Sequence, residues 1–276
     1  MPELPEVEIT RRSLVPALEG ARIVAAEVRH PRLSRRQPRP GDVADRLAGR
    51  FVERLRRLGK FLIADLEDEL AWVTHLGMSG RIQLAPPGAA ESPHTHVVVR
   101  TDRHQEIRIV DPRTFGAVAV YTPEELEHSS LVTMGPDALE ALPRTPQLAR
   151  RLAGRRVAIK TLLLDQRFLA GLGNIYADEV LHRAWVRGDR PAGSLHPDEV
   201  ARIRASVRPV LRAGLRWGGT SLADLAYLLP DGRAGSYVER LRVYGREDRP
   251  CLACGTPIRR MVLGGRSSFF CPRCQR

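Results

Sequence analysis

Cys251-Leu252-Ala253-Cys254 is followed, after sixteen intervening residues, by Cys271-Pro272-Arg273-Cys274, and the chain holds no other cysteine. Two Cys-x2-Cys pairs at this spacing form the ligand pattern of a four-thiolate zinc site. A pair of disulfides is the rival reading, but the N-terminus shows no hydrophobic signal region, and reducing compartments keep such thiols free. Four thiolates close a tetrahedral sphere and leave no place for water, so the expected cofactor is one structural Zn2+. This closure dictates local shape. The stretch Thr256 to Phe270 has to return on itself as a two-stranded ribbon, with Gly264-Gly265-Arg266-Ser267-Ser268 as its turn. Glycines let a phosphate approach the backbone, and Arg266 can bind one bidentately from this rigid mount, although by itself the residue equally suits an ordinary solvated turn.

Charge narrows the partner of such a finger. The 276 residues carry 44 basic and 32 acidic side chains, a formal net charge of +12. The excess is spread along the sequence and does not line one amphipathic stripe, which favours a nucleic acid over a membrane surface. No apolar run has the length needed to span a bilayer, so no membrane association is expected. Aromatic residues make up only 5%, too few for a platform that stacks single-stranded bases, and a duplex held by its phosphates follows. Of the 44 basic residues 42 are arginine; the two lysines are Lys60 and Lys160. Lysines that survive such a bias either mark places where a compact, titratable ammonium cannot be replaced by a planar guanidinium or persist on the surface by chance.

The chain reads as α+β with two domains. An opening helix spans Pro2 to Leu18, with Leu4, Val7, Leu14 and Leu18 near helical spacing and Gly20 as its stop. Short alternating or apolar runs follow to residue 121: Ile23 to Val28, Phe61 to Leu66, Leu70 to Leu76, His96 to Arg100, Ile107 to Val110 and Ala117 to Tyr121. Their number and brevity predict a sandwich or barrel over residues 1–121. Arg32 to Gly41 is polar, proline-rich and expected to be a loop. Residues 122–135 read as a linker. Residues 136–236 read as a helical domain, with helical spacing over Pro146 to Leu152, Ala158 to Gln166, Ile175 to Arg183, Pro197 to Leu215 and Ser221 to Leu228. Gly171-Leu172-Gly173-Asn174 makes a tight turn within it, and the finger occupies 237–276.

At the other end of the chain, loss of Met1 would convert Pro2 into a free secondary amine beside the carboxyl group of Glu3. An α-amino group, with a reference pKa of about 7.7 to 8.0, is far closer to neutrality than a lysine and can act as a nucleophile. Condensed with an aldehyde-level carbon, a secondary amine gives an iminium that cannot shed a proton from nitrogen and so remains an electron sink. By itself the run Pro2, Glu3, Pro5, Glu6 and Glu8 equally suits the first turn of a helix.

The opening Pro2-Glu3-Leu4-Pro5-Glu6-Val7-Glu8, the segments Leu58-Gly59-Lys60-Phe61-Leu62, His75-Leu76-Gly77-Met78-Ser79-Gly80, Asp111-Pro112-Arg113-Thr114-Phe115-Gly116 and Gly173-Asn174-Ile175-Tyr176-Ala177, and the cysteine hairpin resemble the formamidopyrimidine-DNA glycosylase family, in order and over essentially the whole chain. The resemblance implies an N-terminal β-sandwich flanked by helices, then a helix-two-turn-helix domain with a zinc-finger β-hairpin. It also implies a bifunctional glycosylase and abasic-site lyase that acts on oxidised purines in damaged double-stranded DNA. By matching position, Pro2 is the nucleophile, Glu3 the proton donor, Lys60 the lysine linked to the first elimination and Arg266 the arginine linked to the second.

The same resemblance places Met78, Arg113 and Phe115 in the hole left by a flipped base, and Asn174 on a phosphate. His94, Arg155 and Lys160 fall on DNA-contact positions. Read without the family, Met78 and Phe115 would be assigned to the core, and His75 and His96 to structure. Thr114 departs from the pattern, since a basic residue often follows the arginine there. Gly218 to Gly235, including Tyr227 and Asp231, corresponds to the loop that closes over the lesion. The expected form is a monomer in the cytoplasm, associated with the nucleoid. Two alternatives stand beside this reading: an endonuclease VIII-like glycosylase for oxidised pyrimidines, and a non-enzymatic zinc-ribbon DNA-binding protein.

Overall fold

The computed structural model describes residues 2–39, 42–221 and 227–276. They divide into two compact units, Met1–Thr133 with Trp217–Val238, and Met134–Arg216 with Glu239–Arg276. In the first unit α1 (Leu4–Leu18) precedes β1 (Ile23–Val28), α2 (Asp42–Leu47), β2 (Val52–Leu58), β3 (Phe61–Leu66), β4 (Ala71–His75), β5 (Arg81–Ala85), β6 (Thr95–Thr101), β7 (Gln105–Val110), β8 (Ala117–Tyr121) and α3 (Pro123–Glu127). The strands form two four-stranded antiparallel sheets, ordered β1-β6-β7-β5 and β2-β3-β4-β8. Period-two residues from both sheets meet in one core: Val97 and Val99, Ile107 and Ile109, Leu62, Ala64 and Leu66, Val118 and Val120. Val7, Leu14 and Leu18 of α1 close it from one side.

Two strands absent from the sequence expectations, β2 and β5, are both edges. In β2 the residues Glu53, Arg54, Arg56 and Arg57 interrupt the pattern, and only Val52 and Leu55 are fully buried. The Arg56 Nε donates to Asp65 of β3 at 2.8 Å, a charged device that blunts an edge against further pairing. β5 is a five-residue edge between Gly80 and Pro86. The opening helix starts two residues later than its acidic, proline-containing run suggests. Glu3 is extended (φ −104°, ψ −169°) and its N–H donates to Glu6 Oε2 at 2.9 Å, so Pro2 and Glu3 stand ahead of the first turn. Within the expected linker, Thr122 and Glu125 cap α3 reciprocally at 3.0 and 3.3 Å.

The segment Trp217–Val238, which the sequence boundaries assign to the helical domain, clusters with the sandwich. Its two stems pair at Thr220 and Ser236, and a Cβ on Gly235 would lie 2.3 Å from the Gly218 carbonyl oxygen, so the stems approach as only glycine allows. Of the helix expected over Ser221 to Leu228, residues 222–226 lie outside the described residues.

The second unit contains α4 (Thr145–Leu152), α5 (Ile159–Leu164), α6 (Asn174–Ala184) and α7 (Pro197–Arg216), then β9 (Arg259–Leu263) and β10 (Arg266–Phe270). Val200, Ile203, Val207, Val210 and Leu211 form the buried stripe of α7. Helices α6 and α7 meet where Gly214 leaves room for Tyr176; a Cβ there would sit 2.5 Å from the tyrosine oxygen. The hairpin turn is shorter than the sequence suggests. Gly264 and Gly265 alone make it, both at positive φ (54° and 74°), as a two-residue hairpin loop matched to strand twist requires. Arg266 therefore opens β10 and pairs with Leu263.

Candidate active site and metal centre

Pro2 and Glu3 are both buried at the entry to α1. Glu6, one turn on, is buried as well, and its Oε1 accepts the Thr220 N–H at 2.7 Å. The Tyr227 hydroxyl reaches the Glu6 carbonyl at 3.4 Å. One carboxylate thus ties the Pro-Glu terminus to the stem of the segment expected to close over a lesion, a role its place in an acidic first turn does not announce. Glu8 does the equivalent for Lys60. Burial alone would raise its pKa, but hydrogen bonds from Arg11 and Arg12 and the charge of Arg57 hold it at about 2. Arg57 donates Nε to Glu8 at 3.1 Å and Nη1 to the Gly59 carbonyl at 3.0 Å, which fixes the Gly59-Lys60 turn between β2 and β3. Lys60 itself is buried. His75 nearby is pushed down to about 4 by burial and by Arg36, Lys60 and Arg35, and its Nδ1 accepts the Gly77 N–H at 3.0 Å. It is neutral and structural, one of the two readings its sequence allows.

Met78 and Phe115 are 39% and 40% exposed, large apolar side chains held out of the core. Asp111, fully buried, supports both loops. Its Oδ1 accepts the Ser79 hydroxyl at 2.6 Å and its Oδ2 the Gly116 N–H at 2.7 Å. Gly77 (φ 63°) brings the loops together, since a Cβ there would lie 2.4 Å from the Phe115 carbonyl carbon. Arg113 is exposed with its guanidinium 5.5 Å from the Phe115 ring centre. Thr114 takes a left-handed φ of 54°, rare for a β-branched residue, between these anchored neighbours. From the polar loop at 32–41, Arg35 grips the carbonyls of Gly116 (2.5 Å) and Phe115 (3.0 Å). Sequence reasoning passed over Asp111 and Arg35. His94 is exposed, with its carbonyl accepting the Asp111 N–H at 3.0 Å.

In the second unit Arg155 and Arg266 are exposed, whereas Lys160 is fully buried. Lys160 Nζ pairs with Asp178 Oδ1 at 2.7 Å and donates to the Ser267 carbonyl at 2.8 Å. The DNA-contact position that the family pattern gives this lysine is thus occupied by a side chain turned inward to the finger hairpin. Asn174 Nδ2 donates to the same carbonyl at 3.0 Å. Asp178 accepts from Ser268 Oγ (3.0 Å) and Phe269 N (2.9 Å); burial pushes it up to about 6 against the pull of Lys160. Its neighbour Glu179 accepts the backbone N–H groups of Arg242, Val243 and Tyr244 at 2.9–3.0 Å.

The four cysteine sulfurs lie within 4.8 Å of one another, with Cys254 and Cys271 at 3.5 Å and Cys251 and Cys274 at 4.0 Å. A tetrahedral zinc with Zn–S bonds of about 2.3 Å spaces its sulfurs about 3.8 Å apart, so small side-chain shifts bring the donor set to one structural zinc. The Cys251 sulfur also receives the Ala253 N–H at 3.5 Å and lies 3.7 Å from His182 Nε2. Contacts of this kind tune metal–thiolate sites. Cys254→Ser is expected to release the metal and unfold residues 249–276, because zinc coordination supplies the folding free energy of so small an element. Metal analysis and thermal unfolding check this; one zinc per chain with an unchanged Tm would contradict it.

A closed thiolate sphere leaves the metal no chemistry with substrate, and the buried Pro2-Glu3 pair lies at the opposite end of the sequence. A protein built in this way falls among the DNA-repair glycosylases that also cut the strand. Family models match in sequence along the chain: the formamidopyrimidine-DNA glycosylase N-terminal domain over residues 1–118, the H2TH domain of the same enzymes over 134–225, and the zinc finger found in FPG and IleRS over 249–276. The chain belongs to the formamidopyrimidine-DNA glycosylase family. It is 42% identical to the formamidopyrimidine-DNA glycosylase of Methylococcus capsulatus over the whole of both chains. With that of Salinispora arenicola it shares 43% over all of this chain and 96% of the other. Among solved structures, the MutM (Fpg) protein of Thermus thermophilus superposes with a TM-score of 0.88 at 40% identity, covering 99% and 98% of the two chains. The Lactococcus lactis Fpg in complex with DNA containing an abasic site reaches 0.90 at 29% identity over all of both chains. Among the described residues no helix is long and apolar enough to cross a membrane.

Proposed function

We propose that this protein removes oxidised purines, 8-oxoguanine and ring-opened formamidopyrimidines, from duplex DNA and cuts the strand on both sides of the resulting abasic site. The observation that carries the reading is the pair of loops in which Asp111 and Gly77 hold Met78 and Phe115 half in solvent beside Arg113. Large apolar groups are not kept out of a core at the cost of a fully buried carboxylate unless they have something to fill, and a flipped nucleotide leaves such a space. Met78 suits the irregular void, Phe115 wedges the base step, and Arg113 bonds the orphaned cytosine. His94, Arg155 and Asn174 hold phosphates.

With Met1 removed, the unprotonated Pro2 nitrogen attacks C1′ of the flipped nucleotide and the glycosidic bond breaks, its electron pair leaving with the base, which takes up the proton that the Pro2 nitrogen sheds. Glu3 gives a proton to the ring oxygen, the sugar opens, and C1′ and Pro2 become an iminium. The iminium acidifies C2′. Loss of that proton expels the 3′ phosphate, and a second elimination expels the 5′ phosphate, with Lys60 serving the first step and Arg266 the second. A one-nucleotide gap with phosphate ends remains. The test is borohydride reduction in the presence of duplex DNA with 8-oxoguanine opposite cytosine, which is expected to leave a covalent adduct on Pro2 by peptide mass. Glu3→Gln should bind the same DNA and lose about 10²- to 10⁴-fold in base release. An adduct on Lys60, or full activity without Glu3, defeats this assignment. An adduct formed only with oxidised pyrimidines moves the substrate to the endonuclease VIII-like class.

A further inference from the structure

The mechanism has no use for Asp178, yet this buried carboxylate makes three contacts, two of them to the finger. Its partners are Lys160 Nζ on α5 and, on the strand that begins with Arg266, the Ser268 hydroxyl and the Phe269 N–H. Lys160 and Asn174 converge on the intervening carbonyl of Ser267. Residues 267, 268 and 269 are thus clamped one after another to α5 and α6, beginning one residue after Arg266. A strand advances about 3.4 Å per residue, so the clamp sets the position of the Arg266 Cα almost directly. The opposite side of Arg266 is set by the two-glycine turn and by its pairing with Leu263. Asp178 and Lys160 are 1% and 0% exposed, which keeps water from loosening the contact. Gly188 leaves room for this assembly; a Cβ there would sit 3.1 Å from the Lys160 Cβ and 3.5 Å from the Ser268 hydroxyl oxygen.

We propose that Asp178, with Lys160 as its counter-ion, is a positioning residue for the second strand-cutting step: it fixes the hairpin so that the Arg266 guanidinium meets the phosphate leaving in the δ-elimination. The proposal rests on the role given to Arg266 above. It accounts for the retention of Lys160 in a chain that otherwise uses arginine, because a compact ammonium can enter a fully buried cleft and meet one carboxylate oxygen and one carbonyl at once. It also makes the effect selective. Base release and the first elimination are assigned to Pro2, Glu3 and Lys60, which belong to the first compact unit and not to the one that holds this clamp, whereas misplacing a catalytic group by about 1 Å can cost on the order of 10²-fold.

The experiment is a single-turnover assay of zinc-loaded protein on duplex DNA containing 8-oxoguanine, with the β-elimination and β,δ-elimination products resolved by length and the Pro2 adduct trapped in parallel. Asp178→Asn keeps the shape but not the charge. The variant is expected to release base and form the Pro2 adduct within about twofold of the parent, while the ratio of β,δ to β product falls at least tenfold. The change should be no larger when Arg266→Ala is added, since both act on one step. Ser268→Ala removes a single contact and is expected to shift the ratio the same way by a smaller factor; it takes the place of Asp178→Asn should that variant lose zinc. An unchanged ratio, or a loss of base release in proportion to the second elimination, overturns the assignment of Asp178. A parent protein that gives no β,δ product at all overturns the role of Arg266 instead, and a parent that gives no Pro2 adduct overturns the enzyme mechanism itself.

Discussion

Protein that keeps Met1, or that carries any residue ahead of Pro2, is expected to bind lesion DNA at near-parental affinity and to release base more slowly by about 10³-fold or more, a loss on the order of that seen when a covalent nucleophile is removed. An amide nitrogen shares its lone pair with the carbonyl and cannot attack C1′, whereas the phosphate contacts proposed for His94, Arg155 and Asn174 do not involve the terminus. Borohydride should trap nothing. The decisive form of the measurement is a removable extension: cutting it off to expose Pro2 must restore adduct formation in the same preparation. Activity that survives the extension would transfer the nucleophile to a lysine, for which the structure offers only the buried Lys60 and Lys160.

The second large effect is structural. Glu179→Ala is expected to destabilise the second unit by about 3–5 kcal/mol, with early loss of zinc, because the buried carboxylate accepts three consecutive backbone N–H groups of the segment that leads into the finger. Each would be left without a partner in a dry site, at a cost of about 1–3 kcal/mol apiece before relaxation. Glu179→Gln keeps an acceptor oxygen and should recover part of the loss. Calorimetry with metal quantification checks both; an alanine variant that melts within a degree or two of the parent would show that water replaces the carboxylate.

How far the sequence could be read follows from where each signal is stored. The cysteine spacing, the Pro-Glu start and the alternating central strands are local patterns, and β1, β3 and β8 emerge with the boundaries expected of them. Strand β2 is hidden because its arginines and Glu53 serve an edge. Met78 and Phe115, which their composition assigns to a core, are exposed because Asp111, 32 residues from Ser79, holds their loops out. Asp111 stands in a family motif that does not disclose its role, and Asp178 and Glu179 stand in none; their meaning lies in partners 32, 90 and 63 residues away. The lysine bias did single out Lys160, but a count cannot distinguish a phosphate ligand from a buried counter-ion.

That burial has a practical side. With Lys160 wholly enclosed and Lys60 nearly so, acylating reagents that seek amines at neutral pH find no lysine on the described surface of the folded protein, and the chain terminus is the amine left for them. In this protein a general amine label therefore works as a reporter of a single atom: the mass of the labelled N-terminal peptide tells whether that nitrogen belongs to Met1 or to Pro2, and its exclusion when DNA is added measures how completely the duplex covers it.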